Sequence, residues 1–345
     1  MKKIIIFTIL VLIIVVLNWN KIEKPALKES TLRETSDWLE YKNNPVIKYK
    51  DVISNILWND PSVIKEWDIY KMWLSGWDPF SSPIVVKIYY ASSNDWINWN
   101  IRKKPVFESS EWSWDSKSVE TPSVIKVWEI YHMYYTWYNT NHKTWIYSIW
   151  HATSKDWINW IKDENNPIII PDNKNPVEWW YYTTAEPAIV YHNDIFYLYY
   201  VSAKSHYPEK WSWFWVMVAT SENWSLFENH NIAHSLTSSY DKEKYRWYST
   251  PSVYVKDDIF YMYHDLVYDP NWFQQVWISS AKSIDWINFK ELDINIFTIN
   301  NNDWKNISVL APSVISDGNK IKMWFSGQRK KPKFDFGIWY ATKTQ

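Results

Sequence analysis

The chain has no cysteine among its 345 residues and only 4 glycines. Without cysteine there can be no disulfides, no thiol catalysis, no cysteine-bound metal and no lipid attached through a thiol. The formal net charge is −1, which argues against nucleic acid as a partner. Glycine makes up about 7% of an average globular protein, so this chain has very few residues suited to tight turns.

Tryptophan is in excess, with 29 copies, and several stand where turns are expected. The phrases SNDWINW (93–99), SKDWINW (154–160) and SIDWINF (283–289) each place tryptophan directly after aspartate. Asp-Gly is the usual choice for a hairpin turn, because both turn residues need a positive φ, which penalises a bulky side chain.

Some bacteria translate the codon UGA as glycine, and reading such codons as tryptophan would produce this pattern. We hypothesise that many tryptophans stand where the natural protein has glycine, among them Trp67, Trp96, Trp128, Trp137, Trp157, Trp286 and Trp304. Others lie in apolar columns of the repeats and are predicted to be genuine: Trp73, Trp99, Trp160 and Trp324. The alternative is a tryptophan-rich protein that stacks on sugars.

Five similar phrases of the type PSVI divide the chain into repeats, and they begin at Pro61, Pro122, Pro187, Pro251 and Pro312. Six residues after each proline a turn is expected, at Trp67, Trp128, Asn193, Asp257 and Gly318. Each repeat is rich in Val, Ile, Tyr and Trp with frequent turn signals, which predicts about four strands. Regular repeats of this length predict an all-β, five-bladed β-propeller.

The ends of the chain predict how the ring closes. The last repeat stops after its third strand, whereas WLEYKNNPVI (38–47) resembles WIKDENNPIII (160–170), a fourth-strand segment. The N-terminal strand is therefore expected to complete the last blade, which makes residues 37–345 one domain. Before it, residues 1–20 have two lysines and a 14-residue apolar run typical of a signal peptide or membrane anchor, and residues 21–36 resemble a linker. We expect an exported protein, extracellular or anchored on the outer side of the membrane.

In a propeller the first strand of each blade lines the central channel, so the residues before the five prolines are expected to meet at one mouth. These pairs are Asn59-Asp60, Glu120-Thr121, Ala185-Glu186, Ser249-Thr250 and Leu310-Ala311. Cleavage of a glycosidic bond needs two carboxyl groups, one acid and one base. We therefore predict Asp60, Glu186 and Glu120 as catalytic candidates, with Thr121 and Thr250 beside the substrate.

A second candidate pair lies at the end of the second strand of blade four, in YMYHDL. His264 and Asp265 have no counterparts in the other blades, which place Ser75, Thr136, Val201 and Ser326 at the position of Asp265. The pair is predicted to bind substrate, and Asp265 is another possible acid. The other histidines do not form a recognisable metal set, so no metal or cofactor is predicted, and a calcium ion is not indicated.

The PSVI openings, the S-x-D-x-I-N-W loops and the five repeats resemble the five-bladed glycoside hydrolase superfamily, which includes family 43 arabinanases and xylosidases, family 32 invertases and family 68 levansucrases. In family 43 an aspartate base opens blade one, a pKa-tuning aspartate opens blade three and a glutamate acid opens blade four. The resemblance implies that Asp60 is the base and that Glu186 occupies the tuning position. Blade four opens with Ser249-Thr250-Pro251 and lacks the acid.

Three functions remain open at this point. The leading one is a glycosidase that acts on a pentose- or fructose-containing oligo- or polysaccharide, with Glu186 or Glu120 as the acid. The second is a non-catalytic glycan-binding propeller, which the missing blade-four acid favours. The third is a phosphorylase of the mannoside type, which would need a phosphate site built from scattered arginines such as Arg102. A monomer is expected, with membrane contact only through the N-terminal segment.

Overall fold

The computed structural model describes residues 37–49, 52–53, 55–109, 118–139, 146–170, 182–206, 211–235, 246–268, 274–299, 307–329 and 335–345. The predicted signal or anchor (1–20), the linker (21–36) and Trp304 lie outside these residues. The described part is all-β, and none of it forms a helix with the length and apolarity needed to span a bilayer.

Five antiparallel four-stranded units follow one another along the chain, as the repeats predict. Blade one comprises β2 (Leu57–Glu66), β3 (Ile69–Trp77), β4 (Lys87–Ser93) and β5 (Asn100–Ile101). Blade two comprises β6 (Ser118–Val127), β7 (Ile130–Asn139), β8 (Ile146–Ser154) and β9 (Ile161–Lys162). Blade three comprises β10 (Tyr182–His192), β11 (Ile195–His206), β12 (Trp211–Ser221) and β13 (Glu228–His234).

Blade four comprises β14 (Arg246–Lys256), β15 (Ile259–Tyr268), β16 (Gln274–Ser283) and β17 (Lys290–Thr298). Blade five comprises β18 (Ser308–Asp317), β19 (Lys320–Arg329) and β20 (Asp335–Thr344), and its fourth strand is β1 (Leu39–Glu40). The first strands contact one another in the cyclic order β2, β6, β10, β14, β18 and back to β2. The molecule is thus a five-bladed β-propeller.

The N-terminal strand closes the ring, as the sequence predicts. Leu39 pairs with Thr342 and Glu40 with Ala341, antiparallel to β20. The contact continues beyond the strand, where Val46 N and Ile47 N both donate to Ile338 O, at 2.8 and 3.2 Å. Pairing at this seam removes the free edge that β20 would otherwise expose.

The predicted turn column is confirmed. All of its members have a positive φ: Trp67 (57°), Trp128 (51°), Asn193 (48°), Asp257 (51°) and Gly318 (62°). Four tryptophans in the loops before the fourth strands are also left-handed: Trp96, Trp157, Trp224 and Trp286, with φ between 59° and 61°. Trp224 was not among the predicted positions, and the predicted Trp137 lies in β7 without a positive φ.

The aspartate of the S-x-D-W loop has a structural role. Asp95 Oδ1 accepts the amides of Ile97 and Asn98 at 3.1 and 2.7 Å, and the same bonds recur at Asp156 and Asp285. The aspartates themselves are not left-handed, so the loops are Asx-type turns and not the two-residue Asp-Gly hairpins suggested by the sequence.

Each of these loops also receives a hydrogen bond from the preceding blade. The indole of Trp324 donates to Trp96 O at 3.1 Å, and the indole of Trp73 donates to Trp157 O at 3.2 Å. Tyrosines at the same repeat position do the same further round the ring, since the hydroxyl of Tyr199 donates to Trp286 O. Trp73 and Trp324 are fully buried, which agrees with their prediction as genuine tryptophans.

The serine that follows the repeat proline explains the PSV motif. Its hydroxyl accepts a backbone amide of the next blade, at 2.9–3.0 Å, in four of the five seams: Ser62 with Val124, Ser123 with Ile189, Ser252 with Val314, and Ser313 with Val63. Blade three has Ala188 at this position. The seam between blades three and four therefore lacks this bond.

Candidate active site at the channel mouth

The residue before each repeat proline lies in a β-bulge at one end of the first strand. All five are left-handed: Asp60 (φ 49°), Thr121 (49°), Glu186 (58°), Thr250 (39°) and Ala311 (50°). The register of each first strand with its second strand shifts at this point. Because Ala311 shares the conformation, the strain belongs to the blade architecture and not to catalysis alone.

The amides of these residues are held by side chains of the preceding blade. Asp60 N donates to Ser326 Oγ at 3.2 Å, and Thr121 N donates to Ser75 Oγ at 3.0 Å. Glu186 N donates to Thr136 Oγ1 at 2.9 Å. The second strands thus supply a hydroxyl acceptor at three of the seams. The same position holds Val201 in blade three and Asp265 in blade four.

Glu186 replaces the acceptor that Val201 cannot provide. Its Oε2 accepts the amide of Thr250 at 2.8 Å and the hydroxyl of Ser249 at 2.6 Å. Burial, with about 6% of the residue exposed, raises the pKa of the carboxyl, and these hydrogen bonds oppose the rise. Glu186 therefore faces the mouth and also joins blade three to blade four.

Asp60 is buried to a similar extent, with 5% of the residue exposed. Burial raises its pKa to about 7, the charge of Glu186 adds to the rise, and hydrogen bonds from Ser75 and the Thr121 amide oppose it. Its Oδ1 has no hydrogen-bond partner among the described residues. One oxygen is thus held by Ser75 of blade one and by the Thr121 amide of blade two, while the other is buried without a partner.

Asp265 is fully buried and takes the place of the serine or threonine acceptor. Its Oδ2 accepts the hydroxyl of Thr250 at 2.6 Å and the amide of Ala311 at 3.2 Å. Burial raises its pKa well above the usual range, and the charges of Glu186 and Asp60 raise it further. An aspartate without exposed surface acts on the site through its charge and its hydrogen bonds, which makes Asp265 a positioning group.

The structure thus brings together Asp60, Glu186, Asp265 and Thr250. Thr121 lies in the same ring, with its hydroxyl 2.5 Å from that of Thr136. Glu120 is one residue further up its strand, pairs with Thr136 and is 2% exposed. Its charge raises the pKa of Tyr138, in addition to the burial of that tyrosine.

His264 is separated from the mouth. It is fully buried, it packs on the ring of Tyr248 at 4.1 Å, and burial lowers its pKa to about 3. Its neighbours include His234 and Glu291, which sequence reasoning missed because they come from the fourth strands of two different blades. The seam acceptors Ser75, Thr136 and Ser326 were visible as a repeat column, but nothing in the sequence revealed the amides they bind.

Below the mouth, the central channel encloses about 280 Å³. Its wall consists of the repeat prolines and the residues that follow them in all five blades, such as Ser62, Val63, Ser123 and Val124. Long loops over the mouth are expected to control which sugar binds, and the longest in the sequence are 108–119, 172–184 and 205–213; they fall largely outside the described residues.

No family profile matches the sequence, and no curated protein matches it either. Solved structures with a similar fold include a thermostable family-43 glycoside hydrolase, with a TM-score of 0.60 and 15% identity over 85% of this chain and 91% of that one. A glycosyl hydrolase from Bacteroides ovatus has a TM-score of 0.62 and 15% identity, over 87% and 92% of the two chains.

The β-1,2-mannobiose phosphorylase from Listeria innocua, in complex with β-1,2-mannobiose, has a TM-score of 0.64 and 12% identity, over 90% of this chain and 97% of that one. At these identities the likeness concerns the fold. This chain therefore has the five-bladed propeller fold found in glycoside hydrolases and in a mannobiose phosphorylase.

Proposed function

We propose that the protein is a glycoside hydrolase that cleaves a pentose- or fructose-containing glycan with Asp60 and Glu186 as its paired carboxyl groups. The observation that carries the proposal is the convergence of Asp60, Glu186 and Asp265 at one mouth of the channel, where each pKa is raised. Perturbed carboxyl groups that act on one another in a cleft are typical of acid–base sites.

In this mechanism Glu186 is the general acid. Its Oε2 is occupied by Ser249 and Thr250, so Oε1 carries the proton that passes to the glycosidic oxygen as the bond to the leaving sugar breaks. Asp60 is the general base: its unpartnered Oδ1 takes a proton from the water that attacks the anomeric carbon. Inversion requires the two carboxyl groups to be roughly 6.5–9.5 Å apart.

Reducing-sugar release from arabinans, xylans and fructans tests this proposal. Asp60→Asn and Glu186→Gln should each lower the rate by about 10²–10⁴-fold, because each removes a proton-transfer group. Asp68→Asn is the control, since Asp68 is exposed at the far end of the same blade and should keep full activity. Following the anomer first released by NMR distinguishes inversion from retention.

A non-catalytic glycan-binding propeller is the second candidate. It is favoured by the hydrogen bonds of Asp60, Glu186 and Asp265, because each carboxylate holds an amide of the next blade and so has a structural reason to be present. Retention on one glycan in an affinity gel, without release of sugar by the parent protein, would favour this candidate over the hydrolase.

Mannoside phosphorolysis is the third candidate, and its support is weaker. Arg102 is exposed, and the side chains of Arg246 and Arg329 lie outside the described residues. Repeating the assays on mannosides with inorganic phosphate covers this reaction, since a phosphorylase would release sugar phosphate only when phosphate is supplied.

A further inference from the structure

A cluster of two histidines and a glutamate lies behind the channel mouth, at the seam between blades three and four. His234 ends β13 of blade three, whereas His264 lies in β15 and Glu291 in β17 of blade four. One ligand-type atom from each residue lies within 4.8 Å of those of the other two. The mechanism above does not use any of these side chains.

The tautomer of His264 can be assigned from its contacts. Its Nδ1 is 3.3 Å from the carbonyl oxygen of Asp265, and a carbonyl can only accept, so Nδ1 carries the hydrogen. Nε2 then has a free lone pair. It is buried and has no hydrogen-bond partner among the described residues, which is costly unless another group binds there.

His234 is in a similar position. Its Nε2 lies 3.3 Å from Glu291 Oε1, without the alignment of a hydrogen bond, and it too lacks a partner within the described part of the chain. Its ring stacks on Tyr248 at 4.4 Å, and the hydroxyl of Tyr248 donates to Glu291 Oε1. A hydrogen bond of this kind orients a carboxylate ligand in many metal sites.

The spacing suits a small cation with nitrogen and oxygen ligands. Zinc bonds of about 2.0–2.1 Å place the ligand atoms of a tetrahedral site roughly 3.3–3.4 Å apart. The His234–Glu291 pair already has this separation, and the most distant pair must close by about 1.5 Å at most. The Glu291 side chain is 34% exposed, which provides a route for the ion and room for a water ligand.

We propose that His234, His264 and Glu291 bind a divalent transition-metal ion, best suited to Zn²⁺, and that this ion fastens blade three to blade four. Two hydroxyl groups that bridge other seams are missing here, although Glu186 replaces one of them as an acceptor. Ala188 removes the post-proline hydroxyl bond, and Val201 removes the second-strand hydroxyl acceptor. A site of two histidines and one carboxylate is a known zinc ligand set, and the ligands here come from both sides of the seam.

Metal analysis and calorimetry of the full chain test the site, with Zn²⁺ and Co²⁺ as probes after removal of metal by a chelator. We expect about one ion per chain, Co²⁺ absorption bands of a four- or five-coordinate histidine site, and a thermal midpoint that rises by several degrees with Zn²⁺. Glu291→Gln keeps an acceptor for Tyr248 and lies at the exposed edge, so it should fold while its affinity for Zn²⁺ falls at least 100-fold.

His264→Gln should likewise abolish the cobalt spectrum. His230→Ala is the matched control, because His230 lies in the same strand as His234, is exposed and should leave binding unchanged. Absence of stoichiometric binding by the parent protein would overturn the site, as would loss of binding in the control or its survival in Glu291→Gln. Binding without a rise in the thermal midpoint would overturn the fastening role. Neither readout depends on glycan cleavage.

Discussion

Six tryptophans in the described part of the chain adopt left-handed backbone conformations, at positions 67, 96, 128, 157, 224 and 286. A bulky residue with positive φ is a steric outlier, whereas glycine is the ordinary choice. Two of the six also leave most of their surface exposed, since Trp67 is 89% and Trp128 is 76% exposed. The geometry therefore supports the hypothesis of UGA codons that specify glycine in the natural protein.

Trp67→Gly should stabilise the fold by about 1 kcal/mol, because it removes a left-handed strain of roughly 1–2 kcal/mol while giving up little packing. Chemical denaturation of the two proteins measures the difference. Trp73→Gly is the control and should destabilise the fold by about 3–5 kcal/mol, since Trp73 is fully buried in β3. The codons give a second check, because UGG at all six positions would contradict the hypothesis.

The backbone conformation of Trp137 does not indicate whether the natural residue is tryptophan or glycine, because its φ is not positive. This residue is nearly buried and stacks on Trp150 at 5.1 Å. The matching positions in blades one and five are Gly76 and Gly327, where an added Cβ would lie 2.8 Å from an aromatic ring of the third strand. Close approach to a ring, and not turn geometry, is what favours glycine in this column.

Asp60→Asn should stabilise the protein at neutral pH. The raised pKa means that the folded state keeps a proton which the unfolded state releases, so the stability of the parent falls as pH rises from about 4 to about 7. The rise from 3.8 to about 7 corresponds to about 4 kcal/mol. The variant cannot ionise, so its advantage should be near zero at pH 3.5 and largest above pH 7, as urea titrations across this range would measure. An equal advantage at every pH would contradict the assignment.

At the scale of elements, the sequence predicts the blades well because their signals are local. Strand pairs alternate with turns, and the repeat prolines mark each first strand. The short fourth strands of blades one and two contain only two residues each, whereas those of blades three and four contain seven and nine. Local signals cannot reveal the partners across seams, so the sequence does not explain the serine that follows four of the five repeat prolines.

The matched positions Ser123 and Ala188 test the seam bonds. Ser123→Ala should cost about 1–2 kcal/mol, because the amide of Ile189 loses its acceptor in a buried site. Ala188→Ser should add up to about 1 kcal/mol by providing the seam between blades three and four with the bond that the other four seams have. Denaturant midpoints measure both effects, and a destabilising Ala188→Ser would show that this seam has a different geometry.

At the scale of the whole molecule, the repeat count and the match between residues 38–47 and 160–170 were sufficient to predict ring closure. The candidate site was predicted less fully. The pre-proline ring correctly gathered Asp60 and Glu186, but Glu120 lies one residue away from it, and Asp265 acts as a seam acceptor. Such distinctions depend on the register of the bulges and on burial, which a repeat alignment does not contain.

Removal of residues 1–48 should open the ring. Ile47 is 1% exposed and Ile338 is fully buried, so the truncation uncovers apolar surface and the free backbone edge of β20. We expect a much lower thermal midpoint and light scattering from aggregates, whereas a chain that begins at residue 37 should behave as the parent does. Equal midpoints for the two truncations would contradict closure by β1.

The pairing of β1 with β20 also determines when the ring can close during synthesis of the chain. Synthesis delivers residue 39 about 300 residues before its partner, residue 342. Until β20 has been made, blades one to four can assemble, but β1 has no strand to pair with and blade five stays incomplete. A chain that stops before β20 therefore leaves unpaired strand edges, so chaperones and proteases would matter most for this closing step.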